Sequence, residues 1–237
     1  GCPSSGQPTV SLTLEEVSST RMRAEYLFGP GTILVEAPAR LVPDEELFPE
    51  EAAFVAGATE SRRAELGTAR VCARAALGGI GIARSVIVPR EGQGPVWPRG
   101  AAGSISHTHG HCAVVVGASP PLRSIGLDVE VVRPLEPGVA RMILTDRERA
   151  WLDAQPPESR ETLLVTVFCA KEAFYKCQHP VTAAFLEFDD VEVELRIPEG
   201  SFEARVTAAR PSARVRQAAG RLAYEAGRVY CGVELRG

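Results

Sequence analysis

The stretch that most limits what this chain can fold into lies between Pro156-Pro157 and Pro180. Proline lacks the N–H that a helix interior needs, so a long helix is expected from about Ser159 to His179, stopped by Pro180. At about 100° per residue, Leu164, Val167, Phe168, Phe174 and Tyr175 form one apolar stripe along it. The same segment holds the only two lysines of the chain. The other basic residues, of 26 in all, are arginines. Lys171 falls in the middle of the apolar stripe, where an unpaired ammonium is expensive, so it must snorkel outward or meet a negative partner. Glu172 and Lys176 lie at the stripe's border, four residues apart on one side, a spacing that also suits a simple surface ion pair.

Elsewhere the pattern alternates between strand and helix. Short apolar runs around Gly29-Pro30-Gly31 in residues 10–42 predict strands and turns. From Asp44 the pattern is helical, with Pro49-Glu50-Glu51 as a first turn. A second helix begins at Ser61-Arg62-Arg63-Ala64-Glu65, with Ser61 as N-cap, and runs to about Leu77. Gly78-Gly79-Ile80-Gly81 ends it, and because this cluster follows a helix it is not a dinucleotide loop. A short strand is expected at Ser85–Val88, then a Gly/Pro-rich loop from Glu91 to Gly100. A strand within Ser104–Val116 ends at the turn Ala118-Ser119-Pro120-Pro121, and another follows at Ser124–Val132. A helix starts near Thr145-Asp146, and Phe188–Ile197 and Leu222–Leu235 read as strands, the latter a hairpin around Ala226-Gly227. The order predicts an α+β fold with two α/β halves, residues 1–120 and 121–237, joined at the Pro120-Pro121 turn.

Charge and cysteine usage exclude some functions. A net charge of -4 argues against a general nucleic-acid binder, which needs clustered basic surface. No apolar run reaches the ~18 residues of a membrane span, and no signal peptide opens the chain; GCPSSGQP reads as a disordered leader. Six cysteines without a C-x-x-C pair read as reduced thiols in the cytoplasm.

Two further places set polar residues into apolar pattern. In Gly126-Leu127-Asp128-Val129-Glu130 the side chains of a strand alternate, so Asp128 and Glu130 share one face about 7 Å apart. They repel unless the face is solvated or a cation sits between them. In Gly103-Ser104-Ile105-Ser106-His107-Thr108-His109-Gly110-His111, three histidines at spacing two would face one way on a strand. Zinc wants ligands from more than one element, so Ser106-His107 reads better as a polar anchor for an anion. No G-x-S-x-G elbow surrounds any serine. Carboxylate oxygens with few other ligands suit Mg²⁺, and nearby Lys and Arg would neutralise phosphate. The residues alone therefore point to Mg²⁺-dependent chemistry on a phosphate ester or anhydride.

Taken in order, Val96-Trp97-Pro98, Gly103-Ser104-Ile105-Ser106-His107, Gly126-Leu127-Asp128-Val129-Glu130 and Phe168-Cys169-Ala170-Lys171-Glu172-Ala173-Phe174-Tyr175-Lys176 resemble the 4'-phosphopantetheinyl transferases. The resemblance is to the large, single-chain, pseudo-dimeric type of the surfactin and enterobactin pathways, and runs from about Ser61 to Cys177. It implies transfer of the phosphopantetheine arm of coenzyme A to a serine of an acyl or peptidyl carrier protein, releasing adenosine 3',5'-bisphosphate. By that likeness Asp128, Glu130 and Glu172 would hold Mg²⁺, Glu172 would take the serine's proton, and Lys176 would contact phosphate. Ser106 and His107 would anchor the nucleotide. Arg62, Arg63, Arg70 and Arg74 match the family's arginine helix, with Arg62 and Arg70 the candidates for the 3'-phosphate and adenine end. Many relatives carry a basic residue where Gly92 stands here, so Arg90 is the candidate substitute. Lys171 is expected to reach a carboxylate or phosphate at the cleft edge. His109 and His111 have no counterpart in the pattern. Basic and apolar residues after the metal strand, Arg133, Arg141, Met142, Ile143 and Leu144, are expected to dock the acidic carrier, and the two halves in one chain predict a monomer. The competing readings are a non-catalytic coenzyme A or nucleotide binder on the same fold, and a Mg²⁺-dependent phosphohydrolase.

Overall fold

The structure is a computed structural model and describes residues 23–90, 94–136, 138–207 and 214–237. The expected leader at residues 1–8 and the Gly92 position fall outside them. Residues 23–27 are helical. Strand β1 (Thr32–Pro38) is followed by helices α1 (Pro49–Ala56) and α2 (Glu60–Gly79), then β2 (Ala101–Thr108), β3 (His111–Ala118) and β4 (Leu122–Val131). Helices α3 (Val139–Ile143), α4 (Asp146–Asp153) and α5 (Pro157–Thr182) come next. Strands β5 (Val191–Arg196), β6 (Ser201–Val206), β7 (Gln217–Glu225) and β8 (Arg228–Arg236) complete the chain. All pairings are antiparallel, in a three-stranded sheet of order β1-β3-β2 and a five-stranded sheet of order β4-β8-β7-β6-β5. The α+β fold expected from the sequence is the fold observed.

Apolar clusters hold these layers together. Cys72, Ala73, Ala76 and Leu77 of α2 pack on Val114 and Val116 of β3. The other face of the small sheet, with Leu34 and Val115, meets Ile125, Leu127 and Val129 of β4. On the far side, Val165, Cys169, Ala173 and Phe174 of α5 cover Phe202, Val229 and Cys231 of the large sheet. Covered on both faces, β3 is apolar without alternation. β4 alternates: Leu127 and Val129 face the small sheet while Gly126, on the opposite face, meets α5. A Cβ on Gly126 would fall 2.0 Å from the Ala173 carbonyl oxygen, so only glycine permits that approach.

Several boundaries differ from expectation. Ser85–Val88 is not a strand; Ile87 bonds to side chains, its N–H to Glu51 (2.9 Å) and its carbonyl to Arg70 Nε (3.0 Å). The N-cap of α2 is Thr59, whose hydroxyl accepts from Arg62 N–H, and not Ser61. Pro180 lies inside the last turn of α5, which Ala183 ends in a left-handed conformation, φ 53°. The stretch Ser104–Val116 holds two strands. They are reversed at His109-Gly110, where both φ angles are positive (42° and 72°), the geometry a tight hairpin turn requires. The residues expected to open a strand at Phe188 form a short 3-10 turn, Phe188–Asp190, and β6 was not anticipated. The hairpin at Ala226-Gly227 is as expected.

Candidate active site

The two layers meet where β2 lies along the free edge of β4. Two serine hydroxyls replace a neighbouring strand there: Ser104 Oγ accepts the Leu127 N–H (3.0 Å) and Ser106 Oγ the Val129 N–H (3.1 Å). Buried N–H groups must be paired, and the alternation of β2 places Ser104, Ser106 and Thr108 on the one face that can do it. Ser106 in turn donates to Asp128 Oδ1 (2.8 Å), and Thr108 donates to Glu130 Oε2 (3.0 Å). Asp128 and Glu130 share the face of Gly126, toward α5, and α5 brings Glu172 and Lys176 to the same place. Lys176 Nζ donates to Asp128 Oδ1 at 2.6 Å and lies 3.4 Å from Ser106 Oγ.

The electrostatics of this group are those of carboxylates crowded together out of water. Asp128 is 2% exposed and its Oδ2 is buried with no hydrogen-bond partner. Burial, with the Asp128 charge adding to it, pushes the Glu130 carboxyl up to about 7 against the opposing pull of Thr108 and Lys176. Glu172 is raised for the same two reasons, burial first and Asp128 second. Burial works against the Lys176 ammonium, but Asp128 outweighs it and holds the proton more tightly. Among the described residues, no three His, Cys, Asp or Glu side chains are gathered closely enough to hold a metal as they stand. The donor set is nonetheless of the right kind for Mg²⁺: hard oxygens, one of them an orphaned buried carboxylate oxygen.

Neighbours on a strand face opposite ways, so Ser106 and His107 are not one anchor. Ser106, 2% exposed, is turned to Asp128; His107 is turned to α2. There Arg62 Nη1 lies 2.7 Å from His107 Nε2 and 3.1 Å from Glu65 Oε2. Burial and the adjacent Arg62 charge lower the His107 pKa, which favours a neutral ring. The other two arginines of α2 are not brought to this place. Arg70, 4% exposed, bonds the carbonyls of Ile87 and Leu66 beneath the Phe54 ring, and burial lowers its pKa to about 10. Arg74 is paired at 2.5 Å with fully buried Glu51 and donates to the Glu46 carbonyl. Their guanidiniums are held by protein acceptors, away from His107.

Lys171 does reach a carboxylate, beneath a cavity that it lines with Glu172: its partners are Glu148 Oε2 (2.7 Å) and the carbonyls of Ile143 and Phe188. Burial lowers its pKa, with Glu148 opposing. Arg90 is exposed and lines a groove of about 420 Å³ with Val96, Trp97, Tyr175, Lys176 and His179. A cavity of about 220 Å³, lined by Glu172, Tyr175, Phe185, Leu186, Phe188 and others, opens from the same helix. Of the expected docking residues, Arg133 and Arg141 are exposed and Met142 is 72% exposed, whereas Ile143 and Leu144 are core. His111 bonds Glu36 at 2.9 Å, away from His107.

Sequence reasoning missed Thr108, Glu65 and Glu148. Each had a signal: hydroxyls at spacing two in Ser104-Ser106-Thr108, the i, i+3 pair Arg62-Glu65, and the T-x-x-E capping box of Thr145 and Glu148.

Acids and a lysine thus converge from β4 and α5 between two antiparallel sheets, and comparisons with known proteins give the family of the chain. Residues 50–117 match the family model of the 4'-phosphopantetheinyl transferase N-terminal domain, and residues 124–225 match that of the 4'-phosphopantetheinyl transferase superfamily. The 4'-phosphopantetheinyl transferase Svp of Streptomyces mobaraensis is 39% identical over 167 residues, 69% of this chain and 67% of the relative. Npt of Nocardia iowensis, of the same description, is 37% identical, over 67% of this chain and 70% of its own length. PptT of Mycobacterium tuberculosis is 36% identical, over 68% of each chain. The chain belongs to the 4'-phosphopantetheinyl transferase superfamily and is an enzyme of that class. The descriptions of these three do not name the surfactin or enterobactin type. No helix among the described residues is long and apolar enough to cross a membrane.

Proposed function

We propose that this enzyme moves the 4'-phosphopantetheine arm of coenzyme A onto a serine of an acyl or peptidyl carrier protein, with release of adenosine 3',5'-bisphosphate. The observation that carries the reading is the buried cluster of Asp128, Lys176 and Ser106, with an orphaned Asp128 oxygen and two further carboxyls raised beside it. Asp128, Glu130 and Glu172 would hold Mg²⁺, which when bound would neutralise pyrophosphate charge. Phosphoryl transfer needs positioning and charge neutralisation more than covalent help. Ser106 orients Asp128, and Lys176 offers a compact ammonium to the leaving phosphate. Glu172, its pKa raised by burial and by Asp128, would accept the carrier serine's proton. Arg62 and His107 form the end suited to the 3'-phosphate, and Arg90 closes the groove that runs past Trp97 to Lys176. Arg133, Arg141 and Met142 offer the acidic carrier a cationic and apolar surface. With both halves in one chain, as in the surfactin and enterobactin type, a monomer suffices. Five buried, unbridged cysteines among the described residues fit a cytoplasmic setting.

Steady-state transfer to an apo carrier with coenzyme A and Mg²⁺ tests this reading. Glu172→Gln should lose roughly 10²- to 10⁴-fold in kcat while folding normally, the usual weight of a general base. Wild-type turnover in that variant would remove Glu172 from the chemistry.

A further inference from the structure

Lys171 is 2% exposed, and its ammonium donates to Ile143 O (2.7 Å), Glu148 Oε2 (2.7 Å) and Phe188 O (2.8 Å), so all three of its N–H groups are used. Glu148 Oε2 also accepts the Thr145 N–H at the start of α4, and its Oε1 accepts the N–H of Val193 in edge strand β5, each at 2.7 Å. One buried ion pair thus ties α5 to the end of α3, the start of α4 and the edge of the large sheet. A pair so deep is often replaceable by apolar packing without loss of stability, so stability alone does not account for it. What apolar packing cannot supply is a fixed point for three separate segments.

The segments around the Ile143 and Phe188 carbonyls carry the most exposed large apolar side chains of the described residues. Met142, 72% exposed, adjoins Ile143, and Phe185, 68% exposed, lies just before Phe188. Phe185 and Phe188 also wall the cavity that Glu172 lines. Glu172 follows Lys171 directly in α5, so the residue that sets the rim is the neighbour of the proposed base.

We infer that Lys171 is a positioning residue for the carrier protein: it holds the Met142 and Phe185 rim in register with Glu172, so that the carrier's serine meets that carboxylate. The inference rests on the transferase reading above. It separates carrier recognition, governed by the Lys171 anchor, from coenzyme A recognition at Arg62 and His107 on the other layer.

The test uses Lys171→Met combined with Glu148→Gln, which leaves no unpaired charge buried should Lys171→Met alone fail to fold, together with Phe185→Ser on the surface. The double variant should melt cooperatively and lose amide-exchange protection in residues 142–144 and 185–191. Its carrier KM should rise about tenfold while its coenzyme A KM stays within about twofold, and Phe185→Ser should shift the carrier KM alone. An unchanged carrier KM in either folded variant, or equal rises in both KM values, overturns the inference and leaves the transferase reading standing. Absence of transfer by the wild-type chain to any carrier overturns both.

Discussion

Two arginines on one helix show how far residue type falls short of residue role. Arg62, Arg70 and Arg74 share the spacing of an arginine helix, yet only Arg62 stands beside His107. Arg74→Ala would strand the carboxylate of Glu51, which is 0% exposed, and should cost about 3–5 kcal/mol of stability by urea unfolding. Arg62→Ala removes an exposed guanidinium and should leave stability within about 0.5 kcal/mol, while raising the KM for coenzyme A several-fold. If the two variants exchanged these phenotypes, the assignment of Arg62 to the ligand and Arg74 to the scaffold would be reversed. The difference was hidden from the sequence because burial depends on Glu51 and Ile87, which lie outside α2 and are brought to it only by the fold.

At the scale of elements, strand β4 and helix α5 make the site by touching without a side chain between them. Gly126→Ala would push a methyl group into the Ala173 carbonyl, so a stability loss of at least about 1–3 kcal/mol is expected, with activity falling as Asp128 moves relative to Lys176. Stability and activity equal to wild type would mean the contact is looser than described. Both elements were legible beforehand, since Pro156-Pro157 open α5, Pro180 falls in its last turn, and the alternation of β4 sets Asp128 and Glu130 on one face. β2 was less legible. Its reversal at His109 depends on positive φ at a non-glycine residue, and its serines act on backbone N–H groups of a distant strand. Period-two alternation showed which residues face together, but not that those hydroxyls complete the edge of another sheet. Ser85–Val88 failed as a strand for a related reason: side chains of α1 and α2 satisfy the backbone of Ile87.

Across the whole molecule, the crowded carboxyls proposed for catalysis also bear on stability. Glu130 moves from the ordinary 4.5 up to about 7 in the folded chain. Between those values the native state holds a proton that the unfolded state has released, so stability should fall as pH rises from about 5 to 7 and level off above. In a chelating buffer, urea midpoints at pH 5 and pH 7 should show this slope, on the order of 1 kcal/mol for a partly exposed group, and Glu130→Gln should flatten most of it. A slope that survives in the variant would place the titration elsewhere. The α+β class and the shared face of Asp128 and Glu130 could be read from sequence, whereas β6 and the split of Ser104–Val116 into two strands could not. The anchoring of Lys171 in the core could not, because its three acceptors come from three separate segments.

The central claim is that the β4 and α5 cluster transfers the phosphopantetheine arm from coenzyme A to a carrier serine. Its most direct test is simultaneous measurement of the intact mass of an apo carrier and of the nucleotide released, for a panel of carriers supplied with coenzyme A and Mg²⁺. The account predicts one phosphopantetheine arm gained per carrier chain, one adenosine 3',5'-bisphosphate released for each, and neither product from a carrier whose acceptor serine is alanine. Nucleotide release without carrier modification, or no change in any carrier, would contradict it.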